Sequence, residues 1–216
     1  MKSINPAHGA AVFWLLAVGY LLSLTIEPYS LQFVFKALPV LFLLLFYRWQ
    51  NTGKLHLSIV GALVFSALGD VLLALNFEHS FVFGLGAFLI AQICYQSLFW
   101  RLFNWSWSKV IVAVSIIVGA AFVYWLLMPN LAELRWPVLI YIMVLTAMAL
   151  SACFAGKQIG LVGYGALSFL VSDSLIAWDK FIAPIEQQAL IIMTTYYIAQ
   201  YLLVQGAIKL TITKPS

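Results

Sequence analysis

The chain alternates long apolar runs with short stretches that hold most of its charged, proline and asparagine residues. A helix of about 20 residues crosses roughly 30 Å of hydrocarbon. The runs are continuously apolar rather than alternating, which favours helices over a membrane β-barrel. The pattern therefore predicts eight membrane-spanning helices, at about residues 10–26, 31–48, 57–76, 81–100, 109–127, 136–154, 158–178 and 187–208.

Composition agrees with a membrane protein. Hydrophobic residues make up 64% of the chain and charged residues 8%, whereas about a quarter of the residues in soluble domains are charged. No polar stretch is long enough for a soluble domain, so we expect a single integral membrane domain over residues 1–216, with an all-α, polytopic fold. The basic residues are scattered singly, so no nucleic acid partner is expected. The first run has no convincing cleavage site after it, and we expect it to be retained.

The charges between the spans differ between the two sides of the membrane. With eight spans both termini lie on one side, together with eight basic residues and no acidic one: Lys2, Arg48, Lys54, Arg101, Lys109, Lys157, Lys209 and Lys214. The other side carries five acidic residues and two basic ones: Glu27, Glu78, Glu133, Asp179, Glu186, Arg135 and Lys180. The positive-inside rule predicts a multi-pass protein of the cell membrane with both termini in the cytoplasm.

Three charged residues lie inside predicted spans, namely Lys36, Asp70 and Asp173. A charge at mid-membrane costs roughly 2.5 to 3.5 kcal/mol on insertion scales, and such residues usually face the bundle interior. At 1.5 Å per residue, Asp70 is expected about 10 Å below the outer end of its span and the other two about 8 Å below theirs. We therefore predict one polar cavity. Snorkelling of Lys36 and a purely structural ion pair or hydrogen bond for the aspartates remain alternatives.

The two aspartates lie in similar stretches, GALVFSALGDVLLAL at 61–75 and GALSFLVSDSLIAW at 165–178. Their spans are four helices apart and cross the bilayer in the same direction. A parallel repeat of four helices plus four predicts this arrangement, although apolar helices also resemble one another without common origin. Small residues around both aspartates are typical of closely packed helices.

Further polar residues in the spans are candidates for lining the same cavity. Tyr197 and Gln200 lie on the eighth predicted helix, and Gln92 and Tyr141 lie on the fourth and sixth. Each can instead be a packing contact or, for tyrosine, an interface anchor. At the rim, Asp179 and Lys180 are candidates for contact with a zwitterionic headgroup, or form a solvated loop pair.

Two carboxylates in one low-dielectric cavity do not both ionise easily, so one is expected to stay protonated. This arrangement supplies an acid and a base for lipid chemistry, and it equally suits a proton-coupled transporter of small molecules. An intramembrane aspartyl protease is disfavoured, because Ala67 stands where a Gly-x-Gly-Asp motif needs its first glycine. The three histidines fall on different sides of the membrane, so no metal site and no cofactor are expected.

Five short motifs, in order along most of the chain, resemble the YhhN-like lysoplasmalogenase family of multi-pass membrane proteins. They are KALPV at 36–40, GDVLLAL at 69–75, GLGAFLIAQICY at 84–95, SDSLIAWDKF at 172–181 and TYYIAQYL at 195–202. The resemblance implies hydrolysis of the vinyl ether bond of a lysophospholipid substrate, the choline or ethanolamine lysoplasmalogens, to a fatty aldehyde and a glycerophospho-headgroup. Gln92 departs from the family, which commonly has histidine there, and a glutamine does not exchange protons near neutral pH.

Vinyl ether hydrolysis suits the residues singled out above. It proceeds by proton transfer to carbon and capture of an oxocarbenium ion by water. We expect one of Asp70 and Asp173 to be the acid and the other the charged partner, much as in glycosidases. Lys36 is expected to keep that partner ionised or to contact the headgroup phosphate, and Tyr197 and Gln200 to orient water or glycerol hydroxyls. The sequence does not indicate which aspartate is the acid and which is the base. It also predicts no oligomeric state.

Overall fold

The computed structural model describes residues 5–50, 56–75 and 77–212. Regular structure within these residues is helical, with short 3₁₀ turns beside the longer helices. The eight long helices are α1 Pro6–Ser23, α2 Gln32–Gln50, α3 Leu57–Ala74, α4 Ser80–Arg101, α5 Val110–Leu127, α6 Arg135–Phe154, α7 Leu161–Phe181 and α8 Gln188–Ile212. All eight are long and apolar enough to cross a membrane. The predicted all-α class with eight spans is confirmed.

The helix ends differ from the predicted ones by a few residues. Helix α1 begins at Pro6 rather than at residue 10, because the Asn5 side chain accepts a hydrogen bond of 3.0 Å from the Ala7 amide and proline fits the first helical position. Helix α7 ends at Phe181 rather than at residue 178. The predicted end of the third span, Asn76, lies outside the described residues.

The described helices group into two compact units. The first unit contains the described residues up to Tyr95 and those from Ala207 onward. In it, α2 packs against both α1 and α3. Helices α3 and α4 approach closely at Gly69, where an added Cβ atom would lie 2.6 Å from the Phe88 ring. This close packing buries the face of α3 that carries the first aspartate.

The second unit contains residues 96–206, and in it α6 packs against α5 and α7. Helices α7 and α8 approach at Gly165, where a Cβ atom would lie 2.8 Å from the Leu203 amide nitrogen. One turn and two turns further along α7, the Ser168 and Ser172 hydroxyls donate to carbonyls of α8 at 2.7 and 3.1 Å. The small residues predicted to allow close packing around the second aspartate therefore bring these two helices together.

Lys109 is buried, with 1% of its surface exposed, although the charge pattern placed it in a connection. Its ammonium donates to the Gly156 carbonyl at 2.7 Å, just beyond the end of α6. Backbone hydrogen bonds link the same segments, from Asn104 to the Phe154 carbonyl at 2.8 Å and from Gly156 to the Leu102 carbonyl at 3.1 Å. A cation at a helix C-terminus is favourable, so Lys109 fixes the α4–α5 connection to the end of α6.

Three residues of the predicted charge pattern, Lys2, Lys54 and Lys214, lie outside the described residues. The parallel repeat of four helices plus four and the single membrane domain over residues 1–216 both stay predictions.

Candidate functional site

Asp70 lies on α3 in the first unit and is 1% exposed. It precedes Ala74, the last residue of α3, by four positions, which corresponds to about 6 Å along the helix axis. The charge of Asp70 acts on Lys36 of α2 and on Tyr20 of α1, so both side chains lie in its neighbourhood. A buried carboxylate in an apolar bundle requires such neighbours, because an isolated charge there is strongly unfavourable.

Lys36 lies at the same end of the first unit. It follows Gln32, the first residue of α2, by four positions, and α2 and α3 are consecutive helices that cross in opposite directions. The lysine is half-buried and is affected by the charges of Asp70 and Glu27. The structure thus brings Lys36 and Asp70 into one polar cluster, which supports pairing rather than snorkelling as the role of the lysine.

Glu27 is a member of this cluster that the sequence analysis assigned only to a loop. One of its carboxylate oxygens, Oε1, is buried and accepts no hydrogen bond from the described residues. Burial raises the pKa of the Glu27 carboxyl above its ordinary range, and the neighbouring charge of Lys36 opposes the shift. The available signal in the sequence was a glutamate directly after the first predicted span, which ends at residue 26.

Tyrosines of the first span and its loop complete the cluster. Tyr20, 3% exposed, hydrogen-bonds with the Gln32 side chain and is affected by the charges of Glu27 and Asp70. The hydroxyls of Tyr29 and Ser23 lie 2.6 Å apart and share a hydrogen bond. The sequence analysis missed these groups, because an isolated tyrosine near a span end usually indicates only an interface anchor.

Asp173 lies on α7 in the second unit and is half-buried. The hydroxyl of Tyr141, a buried residue of α6, donates a hydrogen bond to its Oδ2 atom. Eight residues separate Asp173 from Phe181, which places it about 12 Å from the end of α7. This distance is longer than the roughly 8 Å counted from the predicted end of the span, because α7 continues three residues beyond that end.

Helix α8 buries several of its polar residues. Tyr197 and Gln200 are both fully buried. The Gln200 amide donates to the Tyr196 hydroxyl at 3.3 Å, and the Tyr196 ring packs edge-to-face against Phe169 of α7 with ring centroids 5.8 Å apart. Burial at these positions excludes lipid-facing anchors. Gln92 of α4 is likewise fully buried.

Asp179 and Lys180 lie in the last turn of α7 rather than beyond the helix. The Asp179 carboxylate accepts a hydrogen bond of 2.9 Å from the Ile185 amide, which closes the turn that follows the helix. Lys180 is exposed. Asp179 therefore has a structural contact within its own connection, and the headgroup contact expected of this pair stays a prediction.

An apolar groove of about 580 Å³ runs between α5 and α7 in the second unit. Its walls are almost entirely hydrocarbon, with Ser115 and Ser174 as the polar exceptions. Ser174 directly follows Asp173 along α7. The volume is typical of small-molecule sites, and the lining suits a hydrocarbon chain better than a charged headgroup.

The predicted site residues thus fall into two groups. Asp70 and Lys36 belong to the polar cluster of the first unit, and Asp173 and Tyr141 form a hydrogen-bonded pair in the second. The expectation that both aspartates share a single cavity stays a prediction.

Comparison with known proteins gives consistent matches. The YhhN family matches residues 31–207. The human protein named lysoplasmalogenase TMEM86B is 35% identical over 83% of this chain and 76% of its own length. A Mycobacterium bovis lysoplasmalogenase is 34% identical over 82% of this chain and 70% of its own length. The bovine lysoplasmalogenase TMEM86A is 32% identical over 85% of this chain and 80% of its own length. No solved structure matches the chain significantly.

Proposed function

This chain belongs to the YhhN family, and we propose that it is a lysoplasmalogenase, a membrane-embedded hydrolase that cleaves the vinyl ether bond of lysoplasmalogens. The observation that carries the proposal is similarity to relatives named lysoplasmalogenase over about four fifths of the chain. Eight apolar helices agree with a substrate that reaches the site from the bilayer. The products are a fatty aldehyde and a glycerophospho-headgroup.

The reaction needs a proton donor and a proton acceptor. The acid donates its proton to the alkenyl carbon that is not bonded to oxygen, and the adjacent carbon becomes part of an oxocarbenium ion. Water adds to that carbon while the base takes the proton of the water molecule. The hemiacetal then breaks its bond to the glycerol oxygen, which is protonated, and aldehyde is released. The glycerol oxygen takes its proton from the hemiacetal hydroxyl in that step. One water molecule is consumed, and the proton that the base took from it returns to the acid before the next turnover.

We assign the acid and base roles to Asp70 and Asp173. Support comes from the burial of Asp70 and from the Tyr141 hydroxyl that holds the Asp173 carboxylate. The positive charge of Lys36 favours an ionised Asp70, which suits the base and the stabilisation of the oxocarbenium ion. Asp173 is then assigned the role of the proton donor, because its recorded partner in the second unit is the neutral Tyr141 phenol and not a cation.

Buried amide and phenol groups complete the proposed machinery. Tyr197, Gln200 and Gln92 are fully buried polar residues of the helices that carry family-like motifs. Their hydrogen-bonding groups suit the orientation of water or of the glycerol hydroxyls. Glutamine at position 92 supplies hydrogen bonds and no proton.

We further propose that the protein lies in the cell membrane with both termini in the cytoplasm. The basic residues described on that side include Arg48, Arg101 and Lys209, near the ends of α2, α4 and α8. The acidic Glu27, Glu78 and Glu133 lie at the opposite ends of the helices. The cluster of Lys36 and Asp70 then lies in the outer half of the bilayer.

The test is aldehyde release by purified protein in detergent from lysoplasmenyl-ethanolamine. We expect the unmodified chain to release aldehyde and both Asp70→Asn and Asp173→Asn to lower the rate by about 10² or more. Glu186→Gln, which changes an exposed glutamate, is the matched control and should keep the full rate. Folded, unmodified protein that releases no aldehyde would refute the hydrolase, and uptake of a solute into proteoliposomes would then indicate a transporter. Full activity in either aspartate variant would refute the assigned pair.

A further inference from the structure

A cavity of about 320 Å³ lies between α1 and the start of α2 in the first unit. Aromatic and hydroxyl groups line one part of it, from Tyr20, Ser23, Tyr29 and Phe35. The rest of the lining is aliphatic or glycine: Leu15, Leu16, Gly19, Ile26 and Leu38. The lining is thus mainly apolar, and the hydroxyls of Tyr20, Ser23 and Tyr29 are its polar groups.

The aromatic walls are held in place by local contacts. The rings of Tyr29 and Phe35 pack edge-to-face with centroids 5.9 Å apart and planes at 72°. The Tyr29 hydroxyl is fixed by its 2.6 Å hydrogen bond with Ser23. Aromatic faces that are fixed in this way attract cations through the ring quadrupole.

Glu27 lies along the chain between two residues that line the cavity, Ile26 and Tyr29, and it acts electrostatically on a third, Tyr20. Its buried Oε1 atom accepts no hydrogen bond from the described residues. A buried carboxylate oxygen without a donor is unfavourable, and a cationic ligand would supply the missing partner.

A positive charge lies beside this acidic group. Lys36 directly follows Phe35, which lines the cavity, and it acts on both Glu27 and Asp70. A negative site flanked by aromatic rings thus neighbours a positive site. A zwitterion with an ammonium group and a phosphate has the complementary charges.

We propose that this cavity receives the zwitterionic headgroup of the lysophospholipid, with the ammonium group against Glu27 and the faces of Tyr20, Tyr29 and Phe35, and the phosphate against Lys36. The inference rests on the proposed function and identifies the part of the site that selects amine-bearing headgroups. Glu27 lies just beyond the span that ends at Ile26, at the level where headgroups lie in a bilayer. Asp70 acts on Lys36 from α3 and lies, like Lys36, four residues from the end of its helix. A phosphate held at Lys36 would therefore bring the glycerol and its ether bond towards Asp70.

The test compares headgroups in the same assay. Lysoplasmenyl-choline and lysoplasmenyl-ethanolamine carry an amine, and lysoplasmenyl-phosphoglycerol carries the phosphate diester without one. We expect Glu27→Gln to raise KM for the two amine substrates by about tenfold more than it raises KM for the glycerol substrate. The matched control is Glu78→Gln, which removes an exposed carboxylate from the next loop at the same end of the unit.

Aromatic substitutions provide a second, independent variant. Tyr29→Leu removes the ring face, whereas Tyr29→Phe keeps the face and loses only the hydroxyl contact with Ser23. We expect the leucine variant to raise KM for the choline substrate several-fold more than the phenylalanine variant does. Equal effects of the two substitutions, or an equal change in KM for all three headgroups in Glu27→Gln, would overturn the proposal.

Binding of a saturated 1-alkyl ether lysophosphocholine separates headgroup recognition from hydrolysis, because this analogue has no vinyl ether bond to cleave. Weaker binding by about tenfold in Glu27→Gln would support headgroup binding in this cavity. If the chain nevertheless released no aldehyde, only the proposed hydrolase activity would fail. Unchanged binding would refute headgroup binding in this cavity and would leave the proposed hydrolase activity unaffected. Free choline that competes at the concentration of the lysolipid would indicate a receptor for a soluble amine and would overturn the lipid assignment.

Discussion

The Tyr141 hydroxyl of α6 donates a hydrogen bond to the Asp173 carboxylate of α7, within the membrane-spanning part of the second unit. A hydrogen bond to a charged or reacting carboxyl group stabilises it by about 1.5 to 3 kcal/mol. We predict that Tyr141→Phe lowers kcat for aldehyde release by about 10- to 100-fold, because Asp173 loses the donor that fixes its orientation. The measurement is steady-state hydrolysis of lysoplasmenyl-ethanolamine.

Tyr164→Phe is the control for this prediction. Tyr164 lies on α7 with Asp173 but is 57% exposed, so loss of its hydroxyl should leave the rate unchanged. A Tyr141→Phe protein that keeps the full kcat would contradict a role for the hydrogen bond in the reaction.

The close approach of α7 and α8 predicts a large effect of a single methyl group. In Gly165→Ala the added Cβ would lie 2.8 Å from the Leu203 amide nitrogen and 3.0 Å from the Ala199 carbonyl oxygen, and backbone atoms cannot move aside singly. Overpacking of this kind costs about 1 to 3 kcal/mol. We expect a lower thermal unfolding temperature in detergent.

Gly119→Ala on α5 provides the comparison, because an added Cβ there meets no atom within 4 Å. Alanine is the better helix former, by up to about 1 kcal/mol, so this variant should be neutral or slightly stabilised. Equal unfolding temperatures for the two variants would show that α7 and α8 are not held at this distance.

The buried ammonium of Lys109 predicts a stabilising rather than a catalytic role. Lys109→Met keeps most of the length of the side chain but removes the donor to the part-buried Gly156 carbonyl just beyond the end of α6. We expect a loss of about 1 to 3 kcal/mol of stability, seen as a lower unfolding temperature, with an unchanged kcat for the folded fraction. Lys157→Met is the control, because Lys157 is exposed in the same connection, and an equal loss there would refute the assignment.

Because Glu27 is an ionisable group of the proposed headgroup cavity, we expect the preference for amine-bearing headgroups to depend on pH. Burial raises the pKa of its carboxyl, while Lys36 on α2 opposes the shift; Asp70 on α3 and Tyr20 on α1 are the other ionisable groups around it. As the pH falls through this raised pKa, Glu27 takes up a proton and loses the charge that attracts the ammonium group. As the pH is lowered, the ratio of KM for the choline substrate to KM for the phosphoglycerol substrate should therefore begin to rise at a higher pH than it would if Glu27 were an exposed glutamate.

The same measurement on Glu27→Gln is the control, after subtraction of acid-catalysed hydrolysis without protein. The ratio of the two KM values should then not change with pH, because glutamine does not titrate. A ratio that changes equally in the unmodified protein and in the variant would assign the pH dependence to another group.

Much of the architecture follows from local sequence. The length of the apolar runs determines eight helices, because each backbone group in lipid must find its partner within its own segment. Helix ends are harder to predict from the sequence than helices themselves. Helix α1 begins at Pro6, four residues before its predicted start, and α7 ends at Phe181, three residues after its predicted end. Lys36, Asp70 and Asp173 were recognisable as candidates, since a charge in an apolar run has few uses that do not involve a partner.

The partners themselves were decided by tertiary structure. The sequence shows that Asp173 is a charge inside an apolar run and that Lys109 is a basic residue near a span end. It does not show that the Tyr141 hydroxyl donates to Asp173 or that the Gly156 carbonyl accepts a hydrogen bond from Lys109. These pairs are separated by 32 and 47 positions along the chain. Only the packing of α6 against its neighbours brings them within hydrogen-bonding distance, because side-chain contacts depend on the rotation of each helix about its axis, which composition does not determine.

Glu27 shows most clearly what the sequence predicts and what only the tertiary structure determines. Its position after the first apolar run identified it correctly as a residue at the end of a span, and by sequence it was one of several loop acids. The Oε1 atom of Glu27 is buried, and its carboxylate interacts electrostatically with Tyr20 and Lys36. The sequence by itself determined the helices, their number and the charges that lipid does not tolerate. The tertiary structure decided which of those charges, and which apparent loop residues, lie together, because burial and electrostatic contact depend on several helices at once.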